Sequence, residues 1–423
     1  MTNEVGRGGP EITASPERLP AAALHFAPSV ATDVYWILPT TRAFIDAVCT
    51  QITTSPWVAI KLPAISIAGL HTALSGALER AHLEHQRTRW LKISDGMSVS
   101  VELGAALASV PLTPQQFAQT RGPVSAIVLE AQTRDAAHEC EEFLGAFAET
   151  SRDSSSNEAP KLIALLPEPP DAPREPCANC EQEIIFSGAL REDEMAAYVS
   201  VRMTERSGPS RTGLFRRLVS EFAGFDALLA EELIALDDDR LLGLPISLEA
   251  LAARSEARWG SGRWSQLCYA QMGSRRIRHV LHEVYLARHT GPEQRDATES
   301  LRRRYWRACA RSILPWLEEH RPRVIGILRP ALEAHLKPFG GKVVRSTPSG
   351  RRIETAIEDI EYNQIPGMIY NDGFSVPSET RARQAVGVCY AAKPVRDDIA
   401  HMRPPRPQAI LELTEKMERL FSS

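Results

Sequence analysis

The chain has 423 residues, of which 43% are hydrophobic and 24% charged, and its net charge is -4. This balance excludes a wholly disordered polymer, and it excludes nucleic-acid binding driven by global charge alone. The length suits two or three domains.

The seven Cys, at 49, 140, 177, 180, 268, 309 and 389, do not form a secreted disulfide framework. The N-terminus has no apolar core of the signal-peptide type. No run approaches the ~20 apolar residues needed to span a bilayer. A soluble, cytoplasmic protein is expected.

Residues 1–30, rich in Gly, Pro, Glu and Ala, read as a flexible tail. Apolar periodicity then predicts a helix over 43–52, a strand over Trp57–Leu62 and a helix over 67–85. Strands follow at Trp90–Ile93 and Ser125–Leu129, then a helix over 136–149 and a strand at Lys161–Leu166. A polar stretch (150–158) and a proline-rich spacer (167–176) interrupt this region. A short strand at 183–186 and a helix over 192–203 complete it. Strands alternating with helices imply βαβ units and a mostly parallel sheet.

From about 212 the pattern is helical. Leu214, Leu218, Phe222 and Phe225 form one stripe, and Leu228, Leu229, Leu233 and Leu236 the next, broken by Asp237–Asp239. Further helices are expected over 245–290, interrupted near Trp259–Gly262. A long helix over 298–324 should be disturbed at Pro315. A hairpin or loop at 340–350 and helices over 353–369, 379–392 and 407–420 complete the chain.

The strand–helix order over 30–251 resembles the core of AAA+ and STAND-type P-loop ATPases. A P-loop needs a glycine-rich turn after the first strand, then Lys and Ser/Thr opening a helix. Here Trp57–Leu62 is followed by Pro63-Ala64-Ile65-Ser66-Ile67-Ala68-Gly69-Leu70-His71-Thr72, with no Gly-Lys-Ser/Thr. Lys61 and Ser66 lack the required offset, and Ala64, Ile65 and Ile67 crowd a backbone that should approach phosphate. Glu130 ends an apolar strand where a Walker B carboxylate would sit; the competing reading is a solvated strand end. The resemblance therefore implies an inactive domain, with ATP hydrolysis and cofactor binding not expected.

Near the C-terminus, Arg396-Asp397-Asp398-Ile399-Ala400-His401 resembles the signature of HEPN domains, small helical and often dimeric bundles, many of them metal-independent ribonucleases. Many members carry Asn where Asp397 stands. The resemblance implies catalytic roles for three residues. His401 would act as acid or base, Arg396 would stabilise phosphate charge, and Asp397 would orient either one. Five residues apart on a helix, Arg396 and His401 do not share one tight face, so two protomers would have to assemble a composite site. Arg80 and His85 have the same spacing, so the spacing alone carries nothing.

Residues 252–312 carry 13 Arg against five acidic residues, with Trp and Tyr interleaved. This suits contact with a nucleic-acid backbone, Arg302, Arg303, Arg304 and Arg307 being the candidates, and suits equally a solvated face paired with acids such as Asp237–Asp239. Cys177 and Cys180 have metal-ligand spacing, but no second pair follows nearby, so no metal site is expected.

The expected fold class is an α/β N-terminal domain with a mostly parallel sheet (degenerate P-loop NTPase-like), followed by an all-α helical region. Its parts are a tail (1–30), a STAND/AAA-like domain (31–210), a helical extension of lid or winged-helix type (211–295) and a HEPN-like domain (296–423). The leading functional expectation is a non-hydrolysing scaffold or sensor of a bacterial antiviral or conflict system. It would pair as a homodimer or with a protein partner from the same system, and it would not engage a membrane. The alternatives are a HEPN-type endoribonuclease acting on RNA and a nucleic-acid-binding regulator.

Overall fold

The computed structural model describes residues 31–62, 69–81, 83, 87–151, 160–167, 182–204, 209–259, 269–272, 275–346 and 352–422. The expected tail, most of the polar stretch after 150 and the Cys177–Cys180 pair lie outside these residues.

Two helices, α1 (Thr32–Tyr35) and α2 (Pro39–Thr54), precede β1 (Trp57–Leu62). Then come α3 (Leu70–Arg80), β2 (Thr88–Ile93), α4 (Val99–Leu107), α5 (Pro114–Gln119), β3 (Ala126–Ala131), α6 (Arg134–Ser151), β4 (Lys161–Pro167), β5 (Glu183–Ile185) and α7 (Glu192–Arg202). The strands form one sheet in the order β2-β3-β4-β1-β5, with every pairing parallel. The expected βαβ organisation and parallel sheet are present.

The central parallel strands β3 and β4, and β1 over Val58–Ile60, are buried on both faces, which is why they read as apolar runs, while the edge strands β2 and β5 are mostly half-buried or exposed. Period-2 alternation sends Val58, Ile60, Ala126, Val128, Ile163 and Leu165 toward α2 and α3. Ala59, Ile127, Leu129, Leu162 and Ala164 face α4, α5 and α6, where Phe117, Phe143 and Phe147 fill the core. Helices α4 and α5 were absent from the periodicity reading. Helix α5 opens with a capping box in which Thr113 and Gln116 bond each other's backbone N–H. That Thr-Pro-x-Gln string was the overlooked signal.

The helical region comprises α8 (Pro209–Ala223), α9 (Ala227–Ile234), α10 (Asp238–Leu242), α11 (Leu244–Trp259), a hairpin of β6 (Tyr269–Met272) and β7 (Arg275–Arg278), and α12 (Val280–Arg288). The hairpin corrects the all-helical expectation for 245–290. Asp237, expected only as a breaker, caps α10 by accepting the Arg240 N–H at 2.8 Å.

Helix α13 (Gln294–Leu336) runs 43 residues, about 65 Å at 1.5 Å per residue, through Pro315, Pro322 and Pro330. The expected disturbance at Pro315 does not end it. The buried stripe from Ala297 through Leu317 to Leu336 packs along the neighbouring helices and holds the axis together despite three missing donors.

A second hairpin, β8 (Val343–Ser346) with β9 (Arg352–Thr355), follows as expected, but it extends into the segment expected to be helical from 353. There only α14 (Gln364–Asn371) is α-helical. Helices α15 (Thr380–Ala400) and α16 (Pro407–Ser422) close the chain. The core on the α3 side of the sheet continues without a break to Leu420, so the two halves share one hydrophobic interior. No helix among the described residues is long and apolar enough to cross a membrane.

Candidate functional sites and where their residues lie

The carboxyl ends of β1 and β3 flank β4, and the helices that follow them cover opposite faces of the sheet. This is a topological switch point, where open α/β sheets place ligands. Helix α3 starts there at Gly69, whose φ of +78° puts it in the left-handed region that favours glycine. A Cβ on Gly69 would lie 2.5 Å from Thr32 Cγ2 and 2.9 Å from Trp36 Nε1. The bare face of Gly69 is therefore filled by the protein's own chain. Leu70 is buried in the core. His71 projects from the first turn of α3, stacks on Trp90 with ring centroids 4.2 Å apart, and brings Nε2 within 3.4 Å of Glu130 Oε2. Among the described residues that carboxylate oxygen is shielded from solvent and makes no well-formed hydrogen bond, and His71 is the basic group that faces it.

On the other face of β1, Lys61 pairs with Glu141 of α6 and lies 4.0 Å from Glu183 of β5. Its ammonium is thus held by two carboxylates. Lys61 and Ser66 lie outside the P-loop offsets, and Ser66 lies outside the described residues. Spacing was the available signal: Ala64, Gly69, Leu70 and His71 stand at the offsets of G-x4-G-K-S/T, with Gly69 alone retained.

The string 396–401 spans the last turn of α15. The guanidinium of Arg396 is taken by Glu361 at 2.8 Å. Asp397 pairs with Lys393 one turn back at 2.7 Å. His401 is the C-cap and is exposed; its backbone N–H donates to the Asp397 carbonyl at 3.1 Å. Five residues turn the helix by about 140°. Among the described residues no contact joins the side chains of Arg396, Asp397 and His401. Trp306 of α13 donates its indole N–H to the Ile399 carbonyl at 2.8 Å, pinning this end of α15 to the long helix.

The arginines of α13 divide by face. Arg304 is nearly buried. It binds Glu283 through Nε at 2.9 Å and a second nitrogen at 3.3 Å, and it donates to the Glu221 carbonyl at 2.8 Å. Arg307 reaches the buried Glu221 carboxylate at 2.9 Å. Arg311 joins Glu221 at 3.0 Å and also pairs with Glu192 of α7, whose carboxyl is held below its usual range chiefly by that hydrogen bond. Arg302 and Arg303 are exposed and, among the described residues, meet Glu299 at 3.9 and 3.2 Å. The acids facing this cluster are Glu192, Glu221, Glu283 and Glu299 rather than Asp237–Asp239. Arg304 and Arg307 therefore tie helices together, while Arg302 and Arg303 keep a solvent face.

Other buried polar groups are structural nodes. Burial alone would raise the Glu194 carboxyl. It is nonetheless lowered, because it accepts hydrogen bonds from the Arg191 N–H and from Thr40 through both N–H and hydroxyl. Glu231 accepts Arg202 at 2.8 and 3.1 Å and the Tyr198 hydroxyl. Burial raises the thiols of Cys140, Cys309 and Cys389 to about 12, so they stay protonated at neutral pH. Among the described residues no group of three or more His, Cys, Asp and Glu could hold a metal ion.

No protein-family model matches the chain, and no curated protein matches it.

Proposed function

We propose that this chain is a non-hydrolysing scaffold or sensor built on a degenerate P-loop-type core, and that it assembles with a second copy or a protein partner. The observation that carries the reading is the start of α3. Left-handed Gly69 opens the helix where the last glycine of a P-loop would. The next position, which would hold the phosphate-binding lysine, is buried Leu70. The position after it, which would supply the Mg²⁺-binding hydroxyl, is His71, and it faces Glu130 at 3.4 Å. An imidazole thus stands opposite the carboxylate where a metal ion would be. The strand order, with β4 between β1 and β3, is the order expected of the AAA-like core that the sequence resembles. The antiviral setting rests on the sequence resemblance alone.

The decisive experiment is thermal denaturation with ATP and Mg²⁺. Ligand present at 100 times its Kd stabilises a protein by about 2.7 kcal/mol. No shift is expected at millimolar ATP, and a clear, saturable rise in Tm would overturn the reading. Sedimentation over a range of concentrations tests assembly, and a monomer at all concentrations would leave only a hetero-partner.

The ribonuclease reading is less favoured, because the Arg396 guanidinium is engaged by Glu361 at 2.8 Å. One observation favours the nucleic-acid-binding alternative. Helices α8, α9 and α11 followed by the β6–β7 hairpin have the order of a winged-helix module, and β7 carries Arg275, Arg276 and Arg278. A binding titration at two salt concentrations tests it through the slope that phosphate contacts impose.

A further inference from the structure

A cavity of about 90 Å³ lies where three chain-distant helices meet. Leu214 and Phe215 of α8, Ile313 and Trp316 of α13, and Ile410 and Leu413 of α16 form most of its wall. Two features account for its presence. Gly213 sits inside α8 at a helical position that no turn requires, and a Cβ there would meet nothing within 4 Å, so the missing side chain leaves the rim open. At the same level α13 carries Pro315, which has no N–H to donate to the carbonyl four residues back.

Among the described residues two side-chain hydroxyls line the cavity. Ser312 Oγ donates to the Ala308 carbonyl at 2.6 Å, and Thr414 Oγ1 donates to the Leu411 carbonyl at 2.9 Å. Each proton is committed to the hydroxyl's own helix, so both oxygens are left as acceptors. Among the described residues no charged side chain lines the cavity. An occupant must therefore be apolar, no larger than one ring with a substituent in the mouth, and must bring its own O–H or N–H donor. Charged metabolites and nucleotides do not fit that description.

We infer that this cavity binds a small monocyclic or short-chain apolar molecule bearing one hydroxyl or N–H donor. Occupancy would join α8, at the start of the helical region, to α16 at the end of the chain. It would stiffen the junction between the helical extension and the terminal bundle. The inference deepens the sensor reading and draws its biological meaning from it. Its chemistry stands apart from the nucleotide question, since ATP and the probe below are assayed separately.

The test is thermal denaturation of the full chain with p-cresol, and with toluene as the probe of equal shape that lacks the donor. p-Cresol is expected to raise Tm by about 2 °C or more in a saturable manner, with toluene roughly tenfold weaker for want of the hydrogen bond. Gly213→Leu fills the rim with a good helix former; it should fold and lose the response. Thr414→Val keeps the shape and removes an acceptor; it should bind p-cresol no better than toluene. Titration of each variant's own Tm shows that it is folded. Absence of any shift up to the solubility limit of p-cresol overturns the inference. So does a response that survives Gly213→Leu. Equal responses to toluene and p-cresol overturn the assignment of a donor-bearing ligand.

Discussion

Replacing Arg304 by Met removes the cation from the most enclosed ion pair among the described residues of the helical region. The Arg304 side chain is 11% exposed and that of Glu283 is 6% exposed. Three hydrogen bonds are lost, two to Glu283 and one to the Glu221 carbonyl. That carbonyl lies in the last turn of α8, where no helical N–H follows to satisfy it. Glu283 keeps only the Ser300 hydroxyl, at 2.9 Å. Removing one partner of a buried pair costs about 3–5 kcal/mol. Hydrogen exchange over residues 280–310 should therefore speed up by two to three orders of magnitude, at roughly tenfold per 1.4 kcal/mol. The double variant Arg304→Met, Glu283→Met removes the stranded charge as well. It should lose only about 1–3 kcal/mol, because no charge stays buried and the groups left without a partner are the neutral Glu221 carbonyl and Ser300 hydroxyl. By contrast, exposed Arg303, paired at 3.2 Å with Glu299 on its own helix, should cost no more than about 0.5 kcal/mol when changed to Ala. Exchange rates unchanged in Arg304→Met, or a double variant as damaged as the single, would refute the reasoning.

Three further outcomes are expected. Purified protein incubated with labelled RNA and EDTA should show no cleavage that disappears in His401→Ala; such cleavage would restore the ribonuclease reading. Gly69→Ala should lower stability by about 2 kcal/mol or more, from positive φ and from overlap with Thr32, and a neutral urea midpoint would contradict the packing there. The Glu194 carboxyl is lower in the folded state than in the unfolded chain, so its stabilising effect is present above the unfolded value near pH 4.3 and is lost as pH falls through the folded value. Glu194→Gln should flatten the acid limb of a Tm-against-pH curve, and a superimposable limb would show that the Thr40 and Arg191 bonds do not matter.

Local sequence already determined the sheet. Strands β1, β3 and β4 are mainly apolar runs whose burial is a property of their own residues, whereas edge strand β2, with Arg89 and Lys92, buries only Ile93. The helices between them follow from stripes such as Phe143, Leu144 and Phe147. Capping chemistry at Thr113 and the offset of Gly69 from Ala64 were equally present in the sequence, in strings that periodicity does not weigh. Other features depend on partners far along the chain, and there the tertiary structure decided. Pro315 reads as a helix breaker until its neighbours hold α13 together. Arg302, Arg303, Arg304 and Arg307 are indistinguishable as a basic run, yet the 100° step per residue turns Arg304 and Arg307 toward Glu283 and Glu221 and leaves Arg302 and Arg303 in water. Arg396 and His401 look like a pair in sequence, but Glu361, 35 positions before Arg396, claims its guanidinium. The opposition of His71 and Glu130 is 59 residues long in sequence and 3.4 Å long in space. Only the closing of β3 beside β4 and β1 brings them together.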